Sequence, residues 1–338
     1  MKRITLLVII ALLLLIFINP SKVGIISTLN ASAETAKELA TIDLDDEIKY
    51  TKYKGLLCFL NNGKLRAINE NGKEIFNKDI SVNNVNLSSD NYIDILNKNS
   101  NKIYSINEKG EIIFISQTSK SGFLYKSINE YTFADVIKTS DYEILKILNE
   151  YGEVNTKINI DGKITNIKPI DNNILVSYIT IKDKIYNNLV VYDENGNLKS
   201  NCKYDGVILD TIIINDNVYL IFDNKVSILD KQLKLKTEIE LKDIVNISVN
   251  EDKIFIKESN NNIGYIQNDK YNKIKTMEKD VNVEGIKDTY VLYSDKILYN
   301  DKLKEILTFK DEIKDVEYIN GNSIAIIFDN YIKIFNID

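Results

Sequence analysis

Through most of this chain apolar and polar residues alternate in short runs, as in Lys102-Ile103-Tyr104-Ser105-Ile106 and Lys225-Val226-Ser227-Ile228-Leu229. A period of two marks a half-buried strand, because successive side chains point to opposite faces. Such a run ends in an apolar couplet at Ile68, Ile106, Leu148 and Tyr192. An Asn-Glu-x-Gly turn follows at the first three, and Asp-Glu-Asn-Gly at the fourth. A second strand then returns, so each pair reads as a β-hairpin whose Asn, Asp and Gly tolerate left-handed backbone.

Aligned on these turns, the anchors are Asn69, Asn107, Asn149, Asp193, Asp230, Asn268, Asn300 and Asn336, at intervals of 32 to 44 residues. The later units lack the glycine, with Asp230-Lys231-Gln232-Leu233 and Asn300-Asp301-Lys302-Leu303 in its place. Upstream of each hairpin lie two more apolar runs, such as Val85 to Leu87 and Tyr92 to Leu96, or Val207 to Ile214 and Val218 to Phe222. Four antiparallel strands in about 40 residues make a propeller blade. The pattern therefore predicts an all-β, eight-bladed propeller over 39–338. Seven blades is the alternative, because the units at Asn268 and Asn300 match least.

The last unit stops after its third strand. Its missing strand is expected at the other end of the chain, since Ile42-Asp43-Leu44-Asp45-Asp46-Glu47-Ile48-Lys49 parallels Leu307-Thr308-Phe309-Lys310-Asp311-Glu312-Ile313-Lys314 and shares Asp-Glu-Ile-Lys in register. The segment near Leu39 to Leu44 should close the ring.

The strand, Asp/Asn-x-x-Gly turn, strand repeat resembles the pyrroloquinoline-quinone-type and WD-type propeller superfamily, and most closely the membrane-anchored propellers of Gram-positive bacteria. That resemblance implies the fold and no activity. Quinoprotein repeats close each blade with Trp, and WD repeats carry Gly-His and Trp-Asp pairs, whereas this chain has neither Trp nor His. A quinone would want a stacking Trp, a cationic partner and a calcium cage, so no cofactor is expected.

Composition narrows the chemistry. Without His, Ser-His-Asp and Cys-His nucleophilic mechanisms and His-containing zinc sites are excluded. Cys58 and Cys202 fall about three blades apart, too far for the roughly 7 Å a disulfide spans between Cα atoms, and read as free thiols. The net charge is −6 over 338 residues, and only Arg3 and Arg66 carry guanidinium groups, so nucleic acid is not an expected partner. The 20 Tyr and 11 Phe fit blades packed face to face. The Asp193, Asn195, Asn197 alternation mimics calcium ligands. It lacks the later bidentate Glu such a loop needs, so hairpin geometry is the better account and no metal site is expected.

At the N-terminus, Lys2 and Arg3 precede an apolar run from Ile4 to Ile18, with Pro20 and Lys22 beyond it. Residues 1–26 read as an export signal: a retained anchor, short of the roughly 20 residues that span a membrane, or a peptide cleaved near Ala31-Ser32-Ala33. Either way the propeller lies outside, since positive residues hold the N-terminus in the cytoplasm, and 27–38 form a tether. The expected location is the cell membrane, single-pass, or the exterior after cleavage.

The longest irregular excursion is Ile181 to Asn188, where Lys182, Lys184 and Tyr186 are candidate partner contacts. The plainer reading is that Ile179 to Lys184 extends a strand and Asn187-Asn188 turns it. The sequence thus leads to a non-enzymatic propeller that docks an envelope protein. The competing reading is an envelope carbohydrate-binding or carbohydrate-cleaving protein, which exposed Tyr beside Asp/Glu on one face would favour.

Overall fold

The computed structural model describes residues 36–45, 48–80, 84–287 and 289–337. Its strands form eight four-stranded antiparallel sheets arranged as a propeller, seven of them meanders of consecutive strands. Blade 1 holds β2 (Lys49–Tyr53), β3 (Leu56–Asn61), β4 (Lys64–Ile68) and β5 (Glu74–Asp79); blade 2 holds β6 (Val85–Ser89), β7 (Ile93–Asn97), β8 (Lys102–Ile106) and β9 (Ile112–Gln117). Blade 3 follows with β10 (Gly122–Ser127), β11 (Phe133–Lys138), β12 (Glu143–Leu148) and β13 (Val154–Ile160). Blade 4 is β14 (Lys163–Ile170), β15 (Asn173–Ile181), β16 (Ile185–Tyr192) and β17 (Leu198–Asp205). Blade 5 is β18 (Asp210–Ile214), β19 (Asn217–Ile221), β20 (Lys225–Asp230) and β21 (Leu235–Glu240). Blade 6 is β22 (Ile244–Asn250), β23 (Lys253–Glu258), β24 (Asn262–Gln267) and β25 (Lys270–Thr276). Blade 7 is β26 (Asn282–Ile286), β27 (Thr289–Tyr293), β28 (Ile297–Tyr299) and β29 (Glu305–Thr308). Blade 8 takes β30 (Asp315–Asn320), β31 (Ser323–Ile327) and β32 (Tyr331–Ile337) from the end of the chain, and its outer strand is β1 (Ala36–Asp43).

The expected closure is therefore present. β1 pairs antiparallel with β32 from Ala36 opposite Ile337 to Asp43 opposite Tyr331, with a bulge at Leu39. The strand starts at Ala36, so the last three residues read as tether, Ala36 to Glu38, are already paired. The N-terminal apolar segment lies outside the described residues.

First strands of neighbouring blades contact one another at β2–β6, β6–β10, β10–β14, β22–β26 and β26–β30, which places them toward the axis. Between every two consecutive blades lies one apolar cluster. Leu65 and Ala67 of blade 1 pack on Ile93 and Ile95 of blade 2, and the series continues around to Ile332 and Ile334 of blade 8 against Leu57 and Phe59 of blade 1. A second strand such as β3 or β31 is buried on both faces, which is why Leu56–Asn61 and Ser323–Ile327 are apolar almost throughout instead of alternating.

The repeated turn has one structural cause. At Asn69, Asn107, Asn149, Asp193, Asp230 and Asn300 the side-chain Oδ1 accepts from the backbone N–H groups two and four residues on, at 2.8–3.0 Å. The fourth residue of the turn is left-handed: Gly72 at φ +72°, and in the later units Leu233 at +60° and Leu303 at +64°. Two anchors of the sequence alignment differ. Asn268 and Asp269 form a two-residue turn with both φ positive, the arrangement a tight hairpin favours. Asn336 sits inside β32, opposite Lys37 and Ser323, because the outer strand comes from elsewhere in the chain.

A Cβ built on Gly72 would meet the Ala40 Cβ of the closing strand at 2.4 Å, in a backbone conformation that already disfavours side chains. Gly72→Ala is expected to destabilise by about 2 kcal/mol. Leu303→Gly, which relieves the left-handed leucine at a partly exposed site, should be neutral or stabilise by up to about 1 kcal/mol. Urea unfolding of both variants checks the pair.

Candidate functional site

Blade 4 differs from the other blades in reach. β15, β16 and β17 run nine, eight and eight residues, so the hairpin joining β15 to β16 extends past its neighbours. Its turn is Lys182–Lys184, closed by Lys182 N–H donating to Lys184 O at 3.1 Å. The strand extension read over Ile179 to Lys184 is present only as far as Ile181, and Asn187 and Asn188 lie within β16, opposite Ile179 and Tyr178, and do not turn the chain.

The three candidate contact residues come together at this tip, where Lys184 and Tyr186 are engaged by neighbouring side chains. Lys184 Nζ pairs with Asp205, and Tyr186 Oη donates to Asp183 Oδ1 at 3.1 Å. Lys203 Nζ stands 3.3 Å from the Tyr186 ring centroid, a cation–π geometry. The Tyr186 hydrogen bond holds the Asp183 carboxyl below its ordinary range, and the Asp205 hydrogen bond raises the Lys184 ammonium. Beneath the tip, Asn187 is buried and its Nδ2 donates to Gly206 O, while Asn188 Nδ2 donates to Thr180 Oγ1 at 3.1 Å. These contacts stiffen the hairpin.

What sequence reasoning missed is the apolar component. Ile181 is 77% exposed, and it pairs with Ile185, also exposed; Gly206 N–H donates to Ile185 O, and exposed Val207 and Leu209 follow in the loop to blade 5. The apolar run starting at Val207 predicts a strand from that residue, yet β18 begins only at Asp210. The available signal was the position of Ile181 and Ile185, which directly flank a three-residue polar turn where no blade remains to cover them.

A second cluster lies on the first strands of blades 7, 8 and 1. Lys52 Nζ is 2.8 Å from Glu317 Oε2 and 3.4 Å from Glu284 Oε1. Glu284 Oε1 also accepts from Tyr318 N at 2.9 Å, and Asp315 accepts from Tyr50 and, at 3.1 Å, from Tyr293. Burial pushes Glu317 up to about 7 against the attraction of Lys52, and burial raises Glu284 as well. On Lys52, burial pulls the ammonium down and the two carboxylates more than offset it. Asp94 is a separate case. It is fully buried between blades 2 and 3, accepts from Ser105 Oγ and from Ser127 N and Oγ at 2.7–2.8 Å, and burial carries it to about 7.

The remaining expectations from sequence have plain locations. Cys58 is buried in blade 1 and Cys202 half-buried in blade 4, both unbridged, and burial pushes each thiol up to about 12. Asp193 is lowered to about 2, first by hydrogen bonds from the Asn197 side chain and backbone, so the residues of the calcium-like pattern hold the turn together.

Residues 28–121 match a family described as "Family of unknown function (DUF5711)". No curated protein sequence matches the chain. Among solved structures it is similar to BamB from Moraxella catarrhalis, at TM-score 0.56 and 9% identity over 89% of this chain and 100% of that one. Sqt1 from Saccharomyces cerevisiae aligns at TM-score 0.57 and 10% identity, covering 90% and 99%. A catalytically inactive virginiamycin B lyase from Staphylococcus aureus, solved with quinupristin, aligns at 0.53 and 13%, covering 90% and 100%. At these identities the likeness is one of fold, and the propellers that share it include both an enzyme and proteins not named as enzymes.

The carboxylates give the chain a distinct pH response. Unfolded, Asp94 and Glu317 ionise near 4; folded, they hold protons up to about 7. In that window the folded state binds more protons, so stability falls as pH rises from about 4 to about 7. Glu317→Gln should flatten part of this slope. Lys52→Met should cost about 2 kcal/mol at pH 7, less than a fully buried pair because Lys52 stays partly exposed, and less again at pH 5. Denaturant titrations at both pH values test the set.

Proposed function

We propose that this chain is a non-enzymatic scaffold of the cell envelope, a propeller held outside the membrane by its N-terminal apolar segment, that docks a partner protein through the tip of blade 4. The observation that carries this reading is the projecting hairpin itself. Exposed Ile181 and Ile185 pair across its tip, and exposed Val207 and Leu209 follow the point where Gly206 bonds back to Ile185, on a backbone stiffened by Asn187 and Asn188. Contiguous exposed apolar surface on a rigid element is the usual form of a docking site, and a pre-ordered hairpin loses little entropy on binding.

The distribution of apolar surface agrees. Of the seventeen large apolar side chains exposed among the described residues, thirteen lie on blades 2 to 5 or the loops between them, so one half of the ring is better suited to contact than the other. Lys184 is matched by Asp205 and Asp183 by Tyr186. The Tyr186 hydroxyl leaves Asp183 charged beside Lys182, so a partner would meet both signs at the tip, and the fitting surface is an apolar recess edged by a carboxylate and a cation. The absence of His and two thiols held near 12 support a binding role over nucleophilic turnover.

The test is crosslinking capture from native envelopes with the full chain and with an Ile185→Asp, Leu209→Asp double variant, followed by titration of the purified partner. Both positions are exposed, so the variant should melt with the parent. The expected result is one stoichiometric protein whose affinity drops at least tenfold in the variant. Undiminished affinity would remove blade 4 as the docking site, and mass determination of the captured chain's N-terminus decides between tether and cleavage.

A further inference from the structure

Between blades 3 and 4, on the face opposite the blade 4 hairpin, a cavity of about 470 Å³ opens to solvent. In a four-stranded meander the first and third turns share one face and the second turn the other. The cavity is framed by the first turn of blade 3 and the first and third turns of blade 4, whereas Lys182–Lys184 is a second turn. It is therefore independent of the docking reading.

Its lining has an unusual make-up. Tyr131 stands at the turn between β10 and β11, 64% exposed. It is not loose there. Its N–H donates to Asn129 Oδ1 at 2.9 Å, and Ile128 N–H donates to Thr132 O at 2.9 Å, so the backbone from which the ring projects is fixed. The corresponding turn of blade 2 also carries a tyrosine, but Tyr92 packs down against the Leu96 and Phe133 core. An aromatic ring held out of the core by its own turn costs burial that the neighbouring blade gains, and a ligand that covers the ring would recover it.

Around the ring stand short, planar polar groups: Asn172, Asn173 and Asn195, with carboxylates Glu130 and Glu194. Asp193 is satisfied by Asn195 N, Asn197 and, at 3.1 Å, Lys199 Nζ, which neutralises it. Among the described residues neither Glu130 nor Glu194 has such an ion pair, so the cavity lining carries a net negative charge. Planar amides and carboxylates suit the adjacent hydroxyls of a sugar, each offering paired donors or acceptors, and the Tyr face suits the apolar C–H face of a pyranose. The two unneutralised carboxylates select against phosphate, uronate or other anionic groups and favour a protonated amine.

We infer that the cleft between blades 3 and 4 is a binding site for an amine-bearing oligosaccharide, with Tyr131 as the stacking platform and Glu130 and Glu194 as the amine-facing groups. The ligand is held by contacts on the turns, and no bond is made or broken.

Saturation-transfer NMR and calorimetry on the full chain, using a glucosamine hexamer, a galacturonate hexamer and spermine as probes, test this. The glucosamine hexamer should bind with Kd below about 1 mM and transfer saturation from its ring protons. Tyr131→Ala should weaken it at least about fivefold with unchanged melting temperature, since an aromatic contact is worth about 1 kcal/mol. Glu194→Gln should weaken it further and reduce its salt dependence. Galacturonate should not bind. No saturable glucosamine binding, binding indifferent to Tyr131→Ala, or spermine binding as tightly as the sugar would each overturn the assignment. None of these results bears on the blade 4 hairpin, because capture of the protein partner uses the other face.

Discussion

The pairing of β1 with β32 is the contact on which the rest of the propeller depends. Seven blades are each completed by a local run of chain, but blade 8 has three strands until Ala36–Asp43 arrives from the other end of the sequence. Without it the Ile332 and Ile334 side chains would lose the cover of Ile42 and Leu44, and β32 would present an unpaired edge. The contact also joins blade 8 to blade 1, because β1 carries Ala40 into the space left by Gly72 of the first blade's turn. Glu38 and Lys333 add an ion pair at 2.7 Å across the seam.

Once closed, the ring is held by the apolar clusters between consecutive blades and by polar contacts across the first strands. Those strands expose backbone groups toward the axis, and side chains of adjacent blades satisfy them: Asn246 Oδ1 accepts from Val283 N at 3.0 Å, Ser248 Oγ from Gly285 N at 2.9 Å, and Asn86 Nδ2 donates to Phe123 O at 2.8 Å. Lys52 and its carboxylates extend the same girdle across the point where first and last blades meet. A frame tied at every interface leaves its turns free to vary without loss of the fold. The blade 4 hairpin and the Tyr131 turn are two such variations, on opposite faces of one disc.

The turns were the most legible part of the sequence, because their cause is local. Asn69 and its counterparts accept hydrogen bonds from residues two and four positions away, so identity and spacing carry the whole motif. Legibility failed where that local cause was absent. Asn268 has the anchor's residue type but serves a two-residue turn, and Asn336 has it inside a strand. The candidate contacts Lys182, Lys184 and Tyr186 lie on the projecting hairpin, yet nothing in their pattern marks Ile181, Ile185, Val207 and Leu209 as exposed. An isoleucine in a strand looks the same whether or not a neighbouring blade covers it.

Strand periodicity, the Asx-capped turns, the repeat and the need for an N-terminal strand to complete the last blade are written in the order of residues, because all follow from backbone geometry and hydrogen bonds over a few residues. Tertiary structure alone decided which apolar residues stay exposed, that Lys52 meets Glu284 and Glu317 from across the seam, and that Tyr131 faces Glu194 in a cleft. Those relations join residues 63 to 265 positions apart, from Tyr131 and Glu194 to Tyr50 and Asp315. The angle and spacing of packed blades set such distances, and no local pattern encodes them.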